Sequence, residues 1–346
     1  MATGHCDWEG RERPRLCELI QRDEGGRGIK NLLCTEIEDH LWQGAESLAH
    51  VSVHVGLITG FPCCLDFDPP TETDGPAGTL AVARTLLALG KEVTLWTDEC
   101  NSKGLLAAAR AHPVVGRHLK EGKRFFFRSF GPDVSEESLR REAEAEGGID
   151  HWIAIERAGP ASDGNYFTMR GRDMTSLLAP LHLPFLWAAE RHHDRAVEGG
   201  GKAVVTIGIG DGGNEVGMGT VVDLVRRHIP LGDQIACIVP ADFLIVASVS
   251  NWGGYALACA VATVSGLLFS GESVLEGLEG VDAESLMPTL EEETLVAGAL
   301  KEAGVRDGCS SQVEESVDGF PLSRCLELLE AMRESVLIQA AKKPLL

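Results

Sequence analysis

The 346-residue sequence lacks the closely spaced cysteine and histidine ligands of a zinc site. Its ten cysteines include no C-x-x-C pair, and the only close pair is Cys63-Cys64. Adjacent cysteines rarely bridge each other, because their side chains diverge. The chain is long enough to bury a sizeable core without covalent staples. We therefore expect free, mostly buried thiols and a reducing compartment.

Positive charge is also scarce in this sequence. It has 31 Lys and Arg residues against 52 Asp and Glu residues, which gives a formal net charge of −21. A surface of that sign repels nucleic-acid backbones and anionic lipid, so we expect neither nucleic acid nor a membrane as a partner. An anionic ligand would need local positive groups or backbone N–H donors to overcome this field.

Targeting and membrane-spanning patterns are missing as well. No secretory signal is evident, and acidic residues such as Asp7 and Glu9 near the start are atypical of a transit peptide. The uncharged stretch at 243–269 is long enough to resemble a membrane span, but Asn251, Gly253 and Gly254 interrupt it. We interpret it as a buried strand, a turn and a buried helix.

What is present is the composition of an ordinary globular protein, with 44% hydrophobic and 24% charged residues. Residues 1–30 are charged and glycine-rich, and we expect a leader or linker there. Residues 31–335 are expected to form a single α/β domain, followed by a C-terminal tail at 336–346.

Apolar runs alternate with helical patterns along this domain. A strand at 51–59, a helix at 80–89 and a strand at 92–97 form a βαβ unit, whose two strands should be parallel. Further strands are predicted at 124–130, 151–155, 203–209 and 234–239, and further helices at 31–49, 135–146, 174–181 and 186–198. The predicted fold is a three-layer α/β structure, a mostly parallel open sheet with helices on both faces, which is Rossmann-like.

Carboxylates follow nearly every predicted strand. In an open parallel sheet the ligand lies beyond the carboxyl ends of the strands, so these side chains should meet at one edge. Aspartate is also common in loops and as a helix cap, which could explain any one of them. The residues are Asp98, Glu99, Asp133, Glu156, Asp211 and Asp242.

The glycine-rich run from Gly208 to Gly219 formally matches G-x-G-x-x-G after a strand. A dinucleotide site would need a firm helix next, and Gly217 and Gly219 would each weaken it by ~1 kcal/mol. We favour a backbone nest that holds an anion through N–H groups, with a tight structural turn as the alternative. The residues predicted to contact the ligand there are Gly210, Asp211, Gly212, Gly213, Asn214 and Glu215.

A second candidate anion site is the loop Asp74-Gly75-Pro76-Ala77-Gly78-Thr79, which leads into a helix N-terminus. It lacks the Lys-Ser/Thr of a P-loop, so a nucleoside triphosphate is not predicted, and ordinary helix capping is the alternative. Asp74, Gly75, Gly78 and Thr79 are the predicted contacts. Gly60, after the first strand, and Asn251, where a strand turns into a helix, are also assigned to substrate binding.

A third polar cluster supplies positive charge. Arg157 and Arg170 are candidates for a bidentate grip on a carboxylate, and Asn165 lies between them in sequence. The alternative is that both arginines form surface ion pairs with the many acids.

Taken together, these segments resemble the C-terminal domain of the D-glutamate cyclase family over about residues 30–335. The resemblance implies conversion of D-glutamate to 5-oxo-D-proline plus water, and a mitochondrial matrix location in animals. It also implies that vertebrate members carry a transit peptide and another, N-terminal domain. The segments that carry it are Thr59-Gly60-Phe61, the loop 74–79, Glu156-Arg157-Ala158-Gly159, the run 208–219 and Ser250-Asn251-Trp252-Gly253.

The expected chemistry, with an amino dicarboxylate as substrate, requires a group that deprotonates an ammonium and one that neutralises a γ-carboxylate. We predict Asp211, Glu215 and Glu156 as the catalytic residues. No cofactor is demanded, but Asp98, Glu99 and Asp211 would suit Mg²⁺ or Mn²⁺. Two alternatives stay open at this point: a non-catalytic regulatory module that binds a small anion, and a nucleotide-dependent oxidoreductase.

Overall fold

The central feature of the molecule is a six-stranded sheet in which every pair of neighbouring strands is parallel. A computed structural model describes residues 12–145, 148–198, 203–269 and 283–341. The strand order is β3-β2-β1-β4-β5-β6. The strands are β1 (His54–Gly60), β2 (Glu92–Asp98), β3 (Phe125–Phe130), β4 (His151–Arg157), β5 (Val205–Gly210) and β6 (Phe243–Val246); β7 (Ser316–Val317) and β8 (Phe320–Pro321) form a separate antiparallel hairpin.

Helices cover both faces of the sheet, which confirms the predicted three-layer fold. The two faces of β4 show this, because Ile153 and Ile155 join one buried apolar cluster while Trp152 and Ala154 join the other. The helices are α1 (Leu16–Ile20), α2 (His40–His50), α3 (Pro76–Ala88), α4 (Glu99–Ala111), α5 (Pro113–Glu121), α6 (Glu136–Ala145), α7 (Leu183–Glu198), α8 (Val222–His228), α9 (Gly232–Ile235), α10 (Ser250–Phe269), α11 (Ala283–Leu286), α12 (Leu290–Glu302) and α13 (Leu322–Ala341), with 3₁₀ turns at Ile29–Leu32, Thr35–Ile37, Thr175–Leu177 and Gly219–Val221.

Helices α3 and α10 cross at two glycines. A Cβ atom added to Gly254 would lie 2.6 Å from the Cα atom of Gly78. No larger residue fits at either position without moving a backbone, so the two helix N-termini come to lie side by side. Within the described residues, none of the helices combines the length and the apolar character that a membrane span requires. The expected strand, turn and helix at 243–269 are found.

Two predicted elements are wrong. The helix predicted at 174–181 is reduced to the 3₁₀ turn Thr175–Leu177. The strand predicted at 234–239 is absent, because α9 ends at Ile235 and the next N–H groups bond to loops: Cys237 donates to the Gly213 carbonyl and Ile238 to the Pro160 carbonyl.

The sixth strand is therefore Phe243–Val246, and Asp242 lies at its amino end. There the Asp242 carboxylate accepts hydrogen bonds from the N–H and hydroxyl of Thr206. Asp242 consequently lies at the opposite edge of the sheet from the other strand-end acids.

The segment predicted as a leader contributes to the domain from residue 16 onward. Leu16 and Ile20 are completely buried, because α1 packs against the α10 side of the sheet. The predicted helix at 31–49 is divided into 3₁₀ turns and α2. At the other end, α13 continues through the predicted tail to Ala341, with Val336 buried.

Candidate active site

Three buried carboxyl groups converge beyond the carboxyl ends of the central strands. Asp74 precedes α3, Glu156 is the penultimate residue of β4, and Asp211 directly follows β5. One carboxylate oxygen from each lies within 4.8 Å of the others, and none of the three residues is more than 5% exposed. We call these three residues the acid cluster. It lies near the β1–β4 boundary, where the direction of strand succession reverses and open α/β sheets form a ligand crevice.

Asp74 is held by the N-terminus of α10. Its carboxylate accepts the N–H groups of Ser250 at 2.9 Å and Asn251 at 2.7 Å. Burial raises the pKa of Asp74 to about 8, and the negative charge of Asp318 adds to the rise. Asp74 therefore holds a proton into a pH range where an ordinary aspartate is fully ionised.

The neighbouring helix α3 is capped in turn by Asn251. Its side-chain oxygen accepts the N–H groups of Gly75 at 3.0 Å and Gly78 at 2.7 Å. These N–H groups, which we expected to face a ligand, are thus satisfied within the protein. Among the predicted contacts in this loop, Thr79 is fully buried and its hydroxyl has no hydrogen-bond partner in the described part of the chain.

Glu156 adopts an unusual backbone conformation for a residue with a side chain, with φ of 43°. The Ser250 hydroxyl donates to its carboxylate at 2.6 Å. Burial, followed by the charges of Glu215 and Asp74, raises the pKa of Glu156 well above its ordinary value. The strained backbone and the raised pKa are both typical of functional positions.

Asp211 forms an ion pair with Arg27, a residue that the sequence analysis did not select. The Arg27 Nη1 atom is 2.8 Å from Asp211 Oδ2, and Nη2 is 2.7 Å from Oδ1 of Asp318. Burial raises the pKa of Asp211, and the Arg27 guanidinium opposes that rise. Glu72 adds a further buried carboxyl, whose pKa burial also raises well above its usual range. No short motif marks Arg27, Glu72 or Asp318 in the sequence.

The glycine nest exists, but the protein's own carboxylate fills it. Glu215 accepts the N–H groups of Asp211 at 3.0 Å, Gly212 at 2.6 Å and Gly213 at 2.7 Å. Glu215 is completely buried. It therefore acts as an internal anion that fixes the loop after β5, and these N–H groups are not free for a substrate. Gly210 packs directly against this side chain, and Asn214 donates to the Phe167 carbonyl.

Arg157 and Asp98 neutralise each other in the interior. Their ion pair is completely buried, and Arg157 also donates to the Ala179 carbonyl at 2.7 Å. Asp98 additionally accepts the N–H group of Ala179 and the side-chain amide of Asn101. Arg157 thus holds a strand end rather than presenting a free fork.

The remaining predicted contacts lie apart from the acid cluster or support it. Asn165 bonds to Asp163 in a partly exposed loop, and Arg170 is exposed. Gly60 ends β1 with φ of 119°, where an added Cβ atom would meet Asn101 at 2.6 Å.

The metal ligands predicted from sequence are not assembled as a set. Asp98 is paired with Arg157, Glu99 is exposed at the start of α4, and the structure groups Asp211 with Asp74 and Glu156 instead. Three carboxylate oxygens at this separation match the hard-ligand preference of Mg²⁺ or Mn²⁺. A bound cation would stabilise the ionised forms of these acids, whose pKa values burial raises, so the acid cluster fits such an ion better than the predicted set does.

Residues 16–333 match the model of the family described as D-glutamate cyclase-like, C-terminal. The chain therefore belongs to that family, and its structure is a parallel α/β fold with a buried cluster of three carboxyl groups. Over 327 residues it is 35% identical to a human protein named D-glutamate cyclase, mitochondrial. The match covers 88% of this chain and 48% of the relative, so the chain spans about half of that protein's length.

Proposed function

We propose that this chain converts D-glutamate to 5-oxo-D-proline and water, with the acid cluster as its catalytic centre. The observation that carries the proposal is the convergence of Asp74, Glu156 and Asp211 in one buried cluster at the carboxyl ends of the strands. The family and the name of the human relative support the choice of substrate.

The chemistry needs two groups in opposite protonation states. Asp211 is the group that we assign to attract the substrate ammonium and accept its proton: Arg27 favours its ionised form, and its raised pKa makes that form a stronger base than an ordinary aspartate. Glu156, whose raised pKa favours the protonated form, donates to the γ-carboxylate, which is otherwise a poor electrophile. The freed amine then attacks the carbon of the γ-carboxyl group, and a carbon–nitrogen bond forms. Holding both ends of one substrate in a single crevice favours this ring closure.

The protons balance with only the substrate and the acid cluster as donors and acceptors. Of the three ammonium protons, one stays on the lactam nitrogen and two pass to the departing oxygen, which leaves as water when its carbon–oxygen bond breaks. Each turnover therefore returns Asp211 and Glu156 to their starting forms if a proton moves between them, and their oxygens are within 4.8 Å of each other. No oxidant or reductant is required.

A divalent cation is part of the same proposal. The ionised forms of Asp74, Glu156 and Asp211 would hold Mg²⁺ or Mn²⁺, and the bound ion would polarise the substrate γ-carboxylate in place of the proton from Glu156.

The two alternative functions have less support from the site. An anion-binding module and a nucleotide-dependent oxidoreductase would both use free N–H groups at the glycine run or at the α3 N-terminus. Glu215 and Asn251 already accept the hydrogen bonds of these groups. An anion-binding module would show a thermal shift with a small dicarboxylate but form no product. An oxidoreductase would show a thermal shift with NAD or NADP.

The name and the length of the relative support a proposal about location and domain organisation. We propose that the protein acts in the mitochondrial matrix, because the human relative is named as mitochondrial. The described residues already bring the acid cluster together, so we propose that this half of the relative's length carries the chemistry without an added N-terminal domain. Fractionation of mitochondria with a protease-protection assay tests the location.

The direct test of function is a turnover assay on the purified chain. D-glutamate and L-glutamate are each incubated with the protein, with Mn²⁺, Mg²⁺ or a chelator, and 5-oxoproline is quantified by chromatography. We expect product from D-glutamate above the slow spontaneous rate. No product under any of the metal conditions would overturn the proposal.

A further inference from the structure

One guanidinium joins the acid cluster to segments from both ends of the chain. Arg27 comes from the N-terminal segment, next to the 3₁₀ turn Ile29–Leu32. Its two Nη atoms contact Asp211 in the cluster and Asp318 in the turn between β7 and β8. The Arg27 side chain is 22% exposed, whereas those of Asp211 and Asp318 are 3% and 5% exposed. Arg27 therefore lies between solvent and the buried acids.

We propose that Arg27 is a positioning residue for the reaction, which orients Asp211 by clamping it against Asp318. This inference rests on the proposed cyclase function and goes beyond it, since neither the family nor the relative's name assigns Arg27 a role. A planar guanidinium holds its two Nη atoms in a fixed relation, so it can contact two different carboxylates at once, one through each atom, which a point charge does not do.

The charges around Asp211 explain why such a clamp is needed. Asp211 faces three other acids, Glu156 from β4, Asp74 from the loop before α3, and Asp318 from the hairpin. In the described part of the chain, Arg27 is the cationic side chain that forms an ion pair with a member of the acid cluster. Without it, the ionised Asp211 would have no cationic partner in the described interior, and buried charge without a partner is costly.

A second arginine provides a matched control. Arg324, on α13, donates to Glu24 through Nε at 2.9 Å, and so ties the same N-terminal segment to the C-terminal part of the chain. Its exposure of 28% is close to that of Arg27. No contact joins this pair to the acid cluster among those of the described residues. A purely structural tether predicts similar effects for both arginines.

The experiment compares Arg27→Met, Arg27→Lys and Arg324→Met as full-length chains, with kcat and KM for D-glutamate and thermal unfolding for each. We expect Arg27→Met to lower kcat by ~100-fold or more, the scale of a mispositioned acid–base group. Arg27→Lys should recover part of that loss, because it restores the charge but not the fork. Arg324→Met should stay within about threefold of the wild type in kcat while losing comparable stability.

Each possible result either supports the role of Arg27 or overturns it. An active wild type with Arg27→Met within threefold of it in kcat would overturn the role of Arg27 and leave the proposed function standing. If Arg324→Met lost as much kcat as Arg27→Met does, Arg27 would be a structural tether and not a positioning residue. An inactive wild type would overturn both proposals. If Arg27→Met does not fold, Asp318→Asn removes the other half of the clamp; kcat should fall by ~10-fold with KM little changed, and an unchanged kcat would contradict the proposal.

Discussion

Asp74 and Asn251 each cap the helix to which the other belongs. Asp74 precedes α3 but accepts the N–H groups of Ser250 and Asn251 on α10. Asn251, on α10, accepts the N–H groups of Gly75 and Gly78 at the start of α3. The exchange locks together two helices that already cross at glycines, and it fixes the position of one carboxyl group of the acid cluster. Stability and chemistry are therefore coupled at this point.

Replacing Asn251 by alanine should weaken both the fold and the reaction. The change leaves two helix N–H groups without an acceptor, for a cost of about 1–2 kcal/mol in the free energy of unfolding. It also frees the loop that carries Asp74, so kcat should fall by about 10-fold or more. Urea unfolding and D-glutamate turnover measure the two effects.

Thr289→Ala is the control for that change. Thr289 caps α12 in a capping box with Glu292, far along the chain from the acid cluster. Its loss should cost ~1 kcal/mol and leave kcat intact. If the two variants lose activity in equal proportion, the reciprocal caps have no special connection to the chemistry.

Glu215 should behave as a structural anion. It accepts three backbone N–H groups, so Glu215→Gln replaces charge-assisted acceptors by one neutral oxygen and an NH₂ group that clashes with a donor. We expect a loss of roughly 2–3 kcal/mol in the free energy of unfolding. Glu315→Gln, which breaks only the exposed pair with Lys301, should cost less than about 1 kcal/mol. Equal urea midpoints for the two variants would show that the glycine run does not depend on Glu215.

The free energy of unfolding should depend on pH through a buried acid that lies outside the acid cluster. Burial raises the pKa of Glu293, on α12, from 4.5 to about 7. Between these values the folded carboxyl binds more protons than the unfolded one, so its contribution to stability is complete below pH ~4.5 and is lost as the pH rises through about 7. The slope is on the order of 1 kcal/mol per pH unit. Denaturant titrations should show Glu293→Gln with a flatter profile; an unchanged slope would contradict the burial of an ionisable carboxyl there.

Manganese binding separates the metal ligands predicted from sequence from those that the structure brings together. Glu156→Gln removes a cluster ligand and should weaken Mn²⁺ binding by about 10-fold or more. Glu99→Gln changes only an exposed residue and should bind as the wild type does. Titration of free Mn²⁺ followed by electron paramagnetic resonance reports the affinities. If only Glu99→Gln bound Mn²⁺ more weakly than the wild type, the result would support the metal ligands predicted from sequence instead of the acid cluster.

The sequence predicts the sheet well because its central strands are buried on both faces and follow the βαβ rule. It fails at 234–239, where an apolar run is buried against loops instead of pairing in the sheet. Burial alone does not distinguish these two environments, since both require apolar side chains. The error then places Asp242 at the wrong edge.

The acid cluster was predictable for the same topological reason, as Asp74, Glu156 and Asp211 follow or flank parallel strands. Which N–H groups and charged side chains are free to contact a ligand could not be predicted, because their hydrogen-bond or ion-pair partners are remote in sequence. Asn251 lies 173 residues from Gly78, and Arg157 lies 59 residues from Asp98. Arg27 could not be predicted for the same reason, since its two acidic partners come from the middle and the end of the chain.

The most direct test of the central claim compares two buried acids in single-turnover experiments with D-glutamate. Glu156→Gln alters the acid cluster, whereas Glu293→Gln alters an equally buried carboxyl outside it. If the cluster is the catalytic centre, Glu156→Gln should fold yet lose at least ~100-fold in the rate of 5-oxoproline formation, and Glu293→Gln should keep a rate near that of the wild type. A folded Glu156→Gln variant that forms product at the wild-type rate would contradict the account.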